Sequence, residues 1–382
     1  MVSGLAYNWD MAYKHRQVID TIPPYKQGKP APIASSQRTF KVSSNENPFP
    51  PLPSVREALE TQALGAINRY PDMRGWDVVR RIAEEYAAYG VRPENVVLGC
   101  GSTEVITQLV NLVAGPGDEV IYPWRSFEAY PIIVTGAGAR SVQVPNRPDG
   151  GHDVEAMIDS INDRTRLIIV NNPNNPTSVS LSDREARRIM EAVPRDVLVL
   201  FDEAYFQFND APDANVAMTL YGEFPNIVVA HTFSKAYGLA GLRIGYAIAQ
   251  ADVVEGMRKV ALPFGVTQSA QIAALASLDA EDELMGRVES IKSERTRLFA
   301  ALRRQGWDFP RPYANFLWLP LGRGTGEAVK CFTEAGLSVR AFEGEGIRVS
   351  IGEPEANDAV IAVCQRIMAG TAESGLPRHP AA

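Results

Sequence analysis

Residues 231–249 read HTFSKAYGLAGLRIGYAIA. Lys235 sits there among hydroxyls, glycines and apolar residues, with Arg243 eight positions later. A lysine on a surface helix normally has charged neighbours at three or four residues, whereas Tyr237, Gly238 and Leu239 follow this one. The run is therefore built around its lysine. On either side lie two apolar, β-branched segments, NIVVAHTFS (226–234) and RIGYAIA (243–249), which predict strands.

Further strands are predicted at VVLG (96–99), EVIYP (119–123), RSVQVP (140–145), RLIIVNN (166–172) and VLVLFDEAY (197–205), each separated by a helical pattern. That alternation predicts an α/β fold, with a mixed, mainly parallel sheet sandwiched by helices. After about residue 265 a long helical stretch (268–305) leads into NFLWLPL, GLSVRAF and GIRVSIG, which predict a smaller α+β domain. The expected division is an arm and part of the small domain at 1–55, a large domain at 56–265, a small domain at 266–370 and a tail at 371–382. A length of 382 residues, beyond what one core usually organises, agrees with two domains.

The net charge of −7, without a clustered Lys/Arg face, argues against nucleic acid as a partner. Cys100, Cys331 and Cys364 form no CxxC pair and have no histidine at metal-ligand spacing, so neither a disulfide framework nor a metal site is expected. The first twenty residues lack the apolar core of a leader, and no stretch is apolar enough to span a membrane. A cytoplasmic protein without a membrane partner is expected.

The polar residues fall at strand ends, where open α/β sheets collect ligands. GCGSTE (99–104) follows a strand and opens a helix, so its N–H groups suit a phosphate. A dinucleotide reading is weaker, since Glu104 takes the third glycine's place and Glu119 precedes its strand. VNNPNNPTS holds two X-Pro steps that force an extended loop. VLVLFDEAY drives an apolar strand into Asp202, whose buried carboxylate calls for a cation or donor. Lys235, desolvated near Arg243, would have a lowered pKa and act as a Schiff-base nucleophile. Lysine, phosphate cradle and carboxylate together describe a pyridoxal phosphate site.

The ordered set SSNENPFPPLPS, NRYPD, GCGSTE, NNPNNPTS, FDEAY, HTFSKAYGLAGLRIGY, NFLWLPL and GIRVSIG, over residues 20–355, resembles the fold-type I, class I/II pyridoxal-phosphate aminotransferases. Within them it looks like the histidinol-phosphate and aromatic (phenylalanine) amino acid aminotransferase branch. The resemblance implies a Schiff base on Lys235, which then shuttles a proton at the substrate Cα. It implies Asp202 at the ring nitrogen, Asn175 and Tyr205 at the phenolic oxygen and Phe127 stacked on the ring. Ser102, Thr103, Ser234 and Arg243 would hold the phosphate, joined by Tyr70 from the other subunit of a homodimer. Tyr25, Asn47, Arg340 and Arg348 would face the substrate, with Arg348 on its α-carboxylate. Two departures stand out: Ser178 replaces a glycine, and His231 stands where an arginine is expected, as a packed or hydrogen-bonded residue.

PWRSFEAYP (123–131) resembles the actinobacterial aromatic enzymes, and Trp124, Phe127, Tyr25 and Phe49 are candidates for an aromatic wall. Arg340 with Arg348 resembles the pair that grips histidinol phosphate, and would equally serve the distal carboxylate of glutamate. The expected activity is ping-pong transamination between an aromatic amino acid and 2-oxoglutarate. Histidinol-phosphate transamination, alone or as a second activity, is the alternative. A β-lyase and a non-catalytic cofactor-binding regulator are more distant ones.

Overall fold

The apolar runs named above become strands in the computed structural model, which describes residues 16–28, 30, 38–214 and 216–374. In chain order they are β1 (Phe40–Lys41), β2 (Val96–Gly99), β3 (Glu119–Trp124), β4 (Arg140–Pro145), β5 (Thr165–Asn171) and β6 (Leu198–Asp202). There follow β7 (Ile227–Thr232), β8 (Gly245–Ile248), β9 (Phe316–Pro320), β10 (Leu337–Ser338), β11 (Arg340–Phe342) and β12 (Gly346–Ser350).

Seven of them form one sheet in the order β2-β8-β7-β6-β5-β3-β4. All run parallel except β8, which is antiparallel to both neighbours. Strands such as β2, β7 and β8 are buried throughout because helices cover both faces, which is why they read as apolar runs without alternation. One face packs Phe201, Val229 and Ile248 under the helices Trp76–Glu85 and Gln268–Asp279. The other packs Leu200, Val228 and Ala247 under the helix Ser102–Val113.

The long helical stretch breaks at Ala280 (φ −108°, ψ 28°) into Gln268–Asp279 and Glu281–Arg304. The first piece lies beyond residue 265, yet gives Ala270, Ala273, Ala274 and Leu278 to the large sheet's core. The second packs Val288, Ile291 and Leu298 on Phe316, Leu317, Ile347 and Val349 of the antiparallel sheet β11-β12-β9. β1, from the proline-rich arm, pairs in parallel with β10. The arm is thereby stitched to the C-terminal part of the fold.

Registry brings the ends of the strands to one edge. Gly99 pairs with Gly245, Gly245 with Thr232, and Asn171 with Asp202. Because β8 runs backwards, its first residue joins the last residues of its neighbours there, and the turns leaving this edge carry the candidate site.

Candidate active site

Asp202 ends β6 almost wholly buried. Its Oδ2 accepts a hydrogen bond from the Tyr130 hydroxyl at 2.6 Å, and that hydroxyl accepts one from Asn171 Nδ2 at 2.8 Å. Oδ1 is buried with no partner. The sequence calls for a cation here, and among the described residues no Lys or Arg forms an ion pair with this carboxylate. Burial pushes the carboxyl above the ordinary aspartate range, against the pull of the Tyr130 hydrogen bond.

Lys235 leaves the turn after β7, and its Nζ donates to the Ser44 carbonyl at 3.3 Å and lies 5.7 Å from the Tyr205 ring centroid. It makes no ion pair among the described residues. Burial, then the Arg348 charge, lowers its amine from 10.5 to about 7, although Glu46 pulls the other way. Tyr205 accepts from Asn45 Nδ2 at 3.1 Å, and burial pushes its phenol up to about 12, so it stays a donor.

Arg348 reaches the same place from β12. Its Nη1 donates to Asn175 Oδ1 at 2.6 Å and its Nη2 to the Ser43 carbonyl at 2.7 Å, while Nε is buried without a partner. Lys235, Tyr205, Asn175 and Arg348, with Tyr25 and Phe127, line a cavity of about 130 Å³, and Asp202 lies outside that lining. Tyr25 and Phe127 meet edge to face, 6.4 Å between centroids.

The glycine turn lies beside it. Gly101 has φ 78°, and a Cβ there would stand 2.6 Å from Arg243 Nη2; one on Gly245 would stand 2.4 Å from the Ser102 nitrogen. Only glycines let this turn, Arg243 and β8 approach so closely. Arg243 Nη1 donates to Ser234 Oγ at 3.3 Å and to the Ala240 carbonyl at 2.9 Å. Ser102 and Thr103 open the helix, whose first-turn N–H groups have no acceptor within it. Arg243 and Ser234 thus meet beside the turn from which Ser102 and Thr103 open the helix. Glu104 is spent on structure, accepting from the Cys100 and Leu262 N–H groups. Glu119, held by Arg140, Arg164 and Asn162, begins β3 at the opposite edge. The dinucleotide reading therefore has no acid where it needs one.

Several residues have other surroundings. Tyr70 is exposed and stacked on Phe264, 4.6 Å between centroids, and does not line this chain's cavity. Asn47 donates to the Ala236 carbonyl at 2.8 Å, fixing the arm beside Lys235. Phe49 sits under Arg287, and Trp124 under Arg125, both outside the cavity lining. Arg340 lines the cavity but is paired with Glu128. His231 is hydrogen-bonded on both ring nitrogens, to Glu203 at 2.9 Å and Tyr246 at 2.8 Å, as its position beside a strand end suggests. Tyr130, Asn45 and Glu128 were not singled out from sequence. Tyr130 and Glu128 lie in PWRSFEAYP, and Tyr130, three positions after Phe127 at a helix start, carried the one usable signal.

Ser178 holds φ 64°, the left-handed conformation that favours glycine. Its Oγ accepts from the Ala314 N–H at 2.8 Å and the Tyr313 N–H at 3.1 Å, tying the NNPNNPTS loop to the lead-in of β9. Ser178→Ala keeps the strain and orphans a buried donor. It is expected to lower the unfolding free energy by about 1–3 kcal/mol in urea titrations. Ser178→Gly, which loses the bond but relieves the backbone, should cost less than Ser178→Ala.

No helix among the described residues is long and apolar enough to cross a membrane. The family model for aminotransferase class I and II matches residues 38–363. The aromatic amino acid aminotransferase of Streptomyces avermitilis is 51% identical over 353 residues, covering 92% of this chain and 97% of the relative. That of Cutibacterium acnes is 47% identical over 360 residues, covering 94% and 100%. Among solved structures, histidinol-phosphate aminotransferase from Sinorhizobium meliloti, in complex with pyridoxal-5'-phosphate, matches with TM-score 0.79 at 27% identity, covering 86% and 91%. Aspartate aminotransferase from Thermotoga maritima shares the fold, with TM-score 0.82 at 20% identity, covering 93% and 100%. Since the family match takes in the large sheet, the glycine turn, the lysine and the three-stranded sheet, the chain belongs to the class I and II aminotransferases, a pyridoxal-phosphate-dependent family.

Proposed function

We propose that this aminotransferase binds pyridoxal phosphate at the edge described above and moves an amino group between an aromatic amino acid and 2-oxoglutarate in ping-pong order. The observation that carries the reading is the buried, unpartnered Asp202 Oδ1 in the same site as an amine lowered to about 7. A protonated ring nitrogen would suit that oxygen, and the first-turn N–H groups of the helix at Ser102, with Arg243 beside them, would suit the phosphate. When bound, the cofactor supplies a carbonyl carbon for the amine and a ring that accepts the electrons of the substrate's Cα–H bond.

The chain's own groups do the rest. Lys235 Nζ would hold the cofactor as the neutral amine and, once a substrate amine has displaced it, would take and return the proton at the substrate Cα. Asp202 would keep the cofactor's ring nitrogen protonated. Asn175 has given its Oδ1 to Arg348, which leaves Nδ2 to donate, with Tyr205, to the phenolic oxygen. Phe127, which lines the cavity, would cover the ring. Arg348 takes the α-carboxylate through its unpartnered Nε and remaining donors, a geometry lysine would not match. Tyr70, joined by exposed Leu64, Ile67, Met73 and Leu262, supports a homodimer in which it completes the phosphate site of the partner subunit.

The names of the relatives and the Tyr25 and Phe127 walls support aromatic donors. The test is kcat/KM for phenylalanine, tyrosine and histidinol phosphate, side by side, with 2-oxoglutarate. The expected result is a preference for the aromatic acids of about tenfold or more, about 1.4 kcal/mol in transition-state binding. The reverse order would make this a histidinol-phosphate enzyme.

A further inference from the structure

Two arginines reach the cavity from neighbouring strands, and their surroundings differ. Arg340 of β11 and Arg348 of β12 are direct cross-strand partners, both buried and both lining the cavity. Like charges placed opposite one another destabilise a sheet. Glu128, next to Phe127, answers one of them: Arg340 Nε donates to Glu128 Oε2 at 3.2 Å, and Nη2 donates to the same oxygen. Glu128 itself lines the cavity. Arg348 has no carboxylate partner among the described residues.

A second ion pair, of opposite polarity, ties the same loop to the same sheet. Arg125 Nε donates to Glu345 Oε2 at 3.0 Å and its Nη2 to Oε1, and Glu345 lies in the turn between β11 and β12. Neither member lines the cavity. Both pairs clamp the loop; only Glu128 and Arg340 place their charges where a substrate side chain would end.

We propose that Glu128 determines specificity: by neutralising Arg340 it leaves the distal end of the cavity uncharged for an aromatic side chain and bars a phosphate monoester. The inference rests on the transaminase reading above. With an aromatic donor the pair stays intact beside Phe127 and Phe342. A phosphate monoester, carrying a charge of about −1.5 to −2, must take the Arg340 fork from Glu128 and then face the stranded carboxylate in the same cavity. Repulsion of the wrong ligand, more than attraction of the right one, sets the selectivity. A distal carboxylate carries a single charge and exchanges for Glu128 at less cost.

The test is Glu128→Gln in the cofactor-loaded enzyme. The donor half-reaction is followed alone, so that the oxo acid does not enter, with phenylalanine and with histidinol phosphate. The ratio of the histidinol-phosphate to the phenylalanine rate constant is expected to rise about tenfold or more. Glu128→Asp, which keeps the charge, should keep the wild-type ratio. Glu345→Gln cuts the other clamp and should leave the ratio unchanged. An equal shift in Glu345→Gln would make the clamp the cause and overturn the proposal, as would an unchanged ratio in Glu128→Gln. If the wild type prefers phenylalanine while Glu128→Gln is silent, only the role of Glu128 falls. A wild type that prefers histidinol phosphate removes the aromatic reading as well.

Discussion

Lys235→Ala is expected to abolish transamination, by a factor on the order of 10⁴ or more, and at the same time to stabilise the cofactor-free protein. The two effects share one cause, the desolvation that makes the amine reactive. Its folded pKa of about 7 lies below the value of about 10.4 in an unfolded chain. Below pH 7 both states carry the ammonium and the folded state bears the full penalty. Between the two values the unfolded state binds more protons, so stability rises with pH and the penalty fades. The full penalty is on the order of 3–5 kcal/mol, reduced by whatever water the cavity admits. Urea unfolding of the two apo-proteins at pH 6 and at pH 9.5 should therefore show the alanine variant's advantage mainly at pH 6. Parallel pH profiles would mean that Lys235 is not desolvated, and retained turnover would remove it from the chemistry.

Asp202→Asn should lower kcat by about 10² to 10⁴-fold while the fold stands. An amide oxygen still accepts from Tyr130, so the packing at the end of β6 is kept. What is lost is the negative charge behind Oδ1, and with it the stabilisation of a protonated ring nitrogen. Here the folded pKa is raised, so the carboxylate's burial penalty is absent below the unfolded value and present above the folded one. At pH 7 the asparagine protein without cofactor should thus be at least as stable as the wild type. Thermal melts of the apo-protein and kcat of the loaded enzyme separate the two effects. An unchanged kcat would leave Asp202 a packing residue only.

The large sheet could be read in advance because its strands are buried on both faces and are therefore apolar runs of the right length. RSVQVP forms β4 from its first residue to its last, and VVLG forms β2. The antiparallel course of β8 was not legible, since an apolar run has no direction until the chain around it is placed. The lysine, the aspartate and the glycine turn showed themselves through their short-range context. The partners of those groups did not: Tyr130 with Asp202, Glu128 with Arg340 and Asn45 with Tyr205 lie 72, 212 and 160 positions apart. Ser178 was legible as a departure and not as a bracket, because its two donors belong to residues 135 and 136 positions away.

The pairing of β1 with β10 has a temporal side. Ser350 Oγ accepts from the Asn45 N–H at 2.7 Å across 305 positions, and the Ser43 carbonyl waits for Arg348 over the same span. Contacts of such sequence separation form late, because the loop between them must close before they return any free energy. At about 5–20 residues per second, a ribosome needs roughly 5–20 seconds to go from Ile248, the end of β8, to Ser350. During that interval the large sheet has its full set of strands while the amine lacks the wall that desolvates it. A half-made chain thus leaves its lysine open to water, and the amine is enclosed only when the last strand closes over the first.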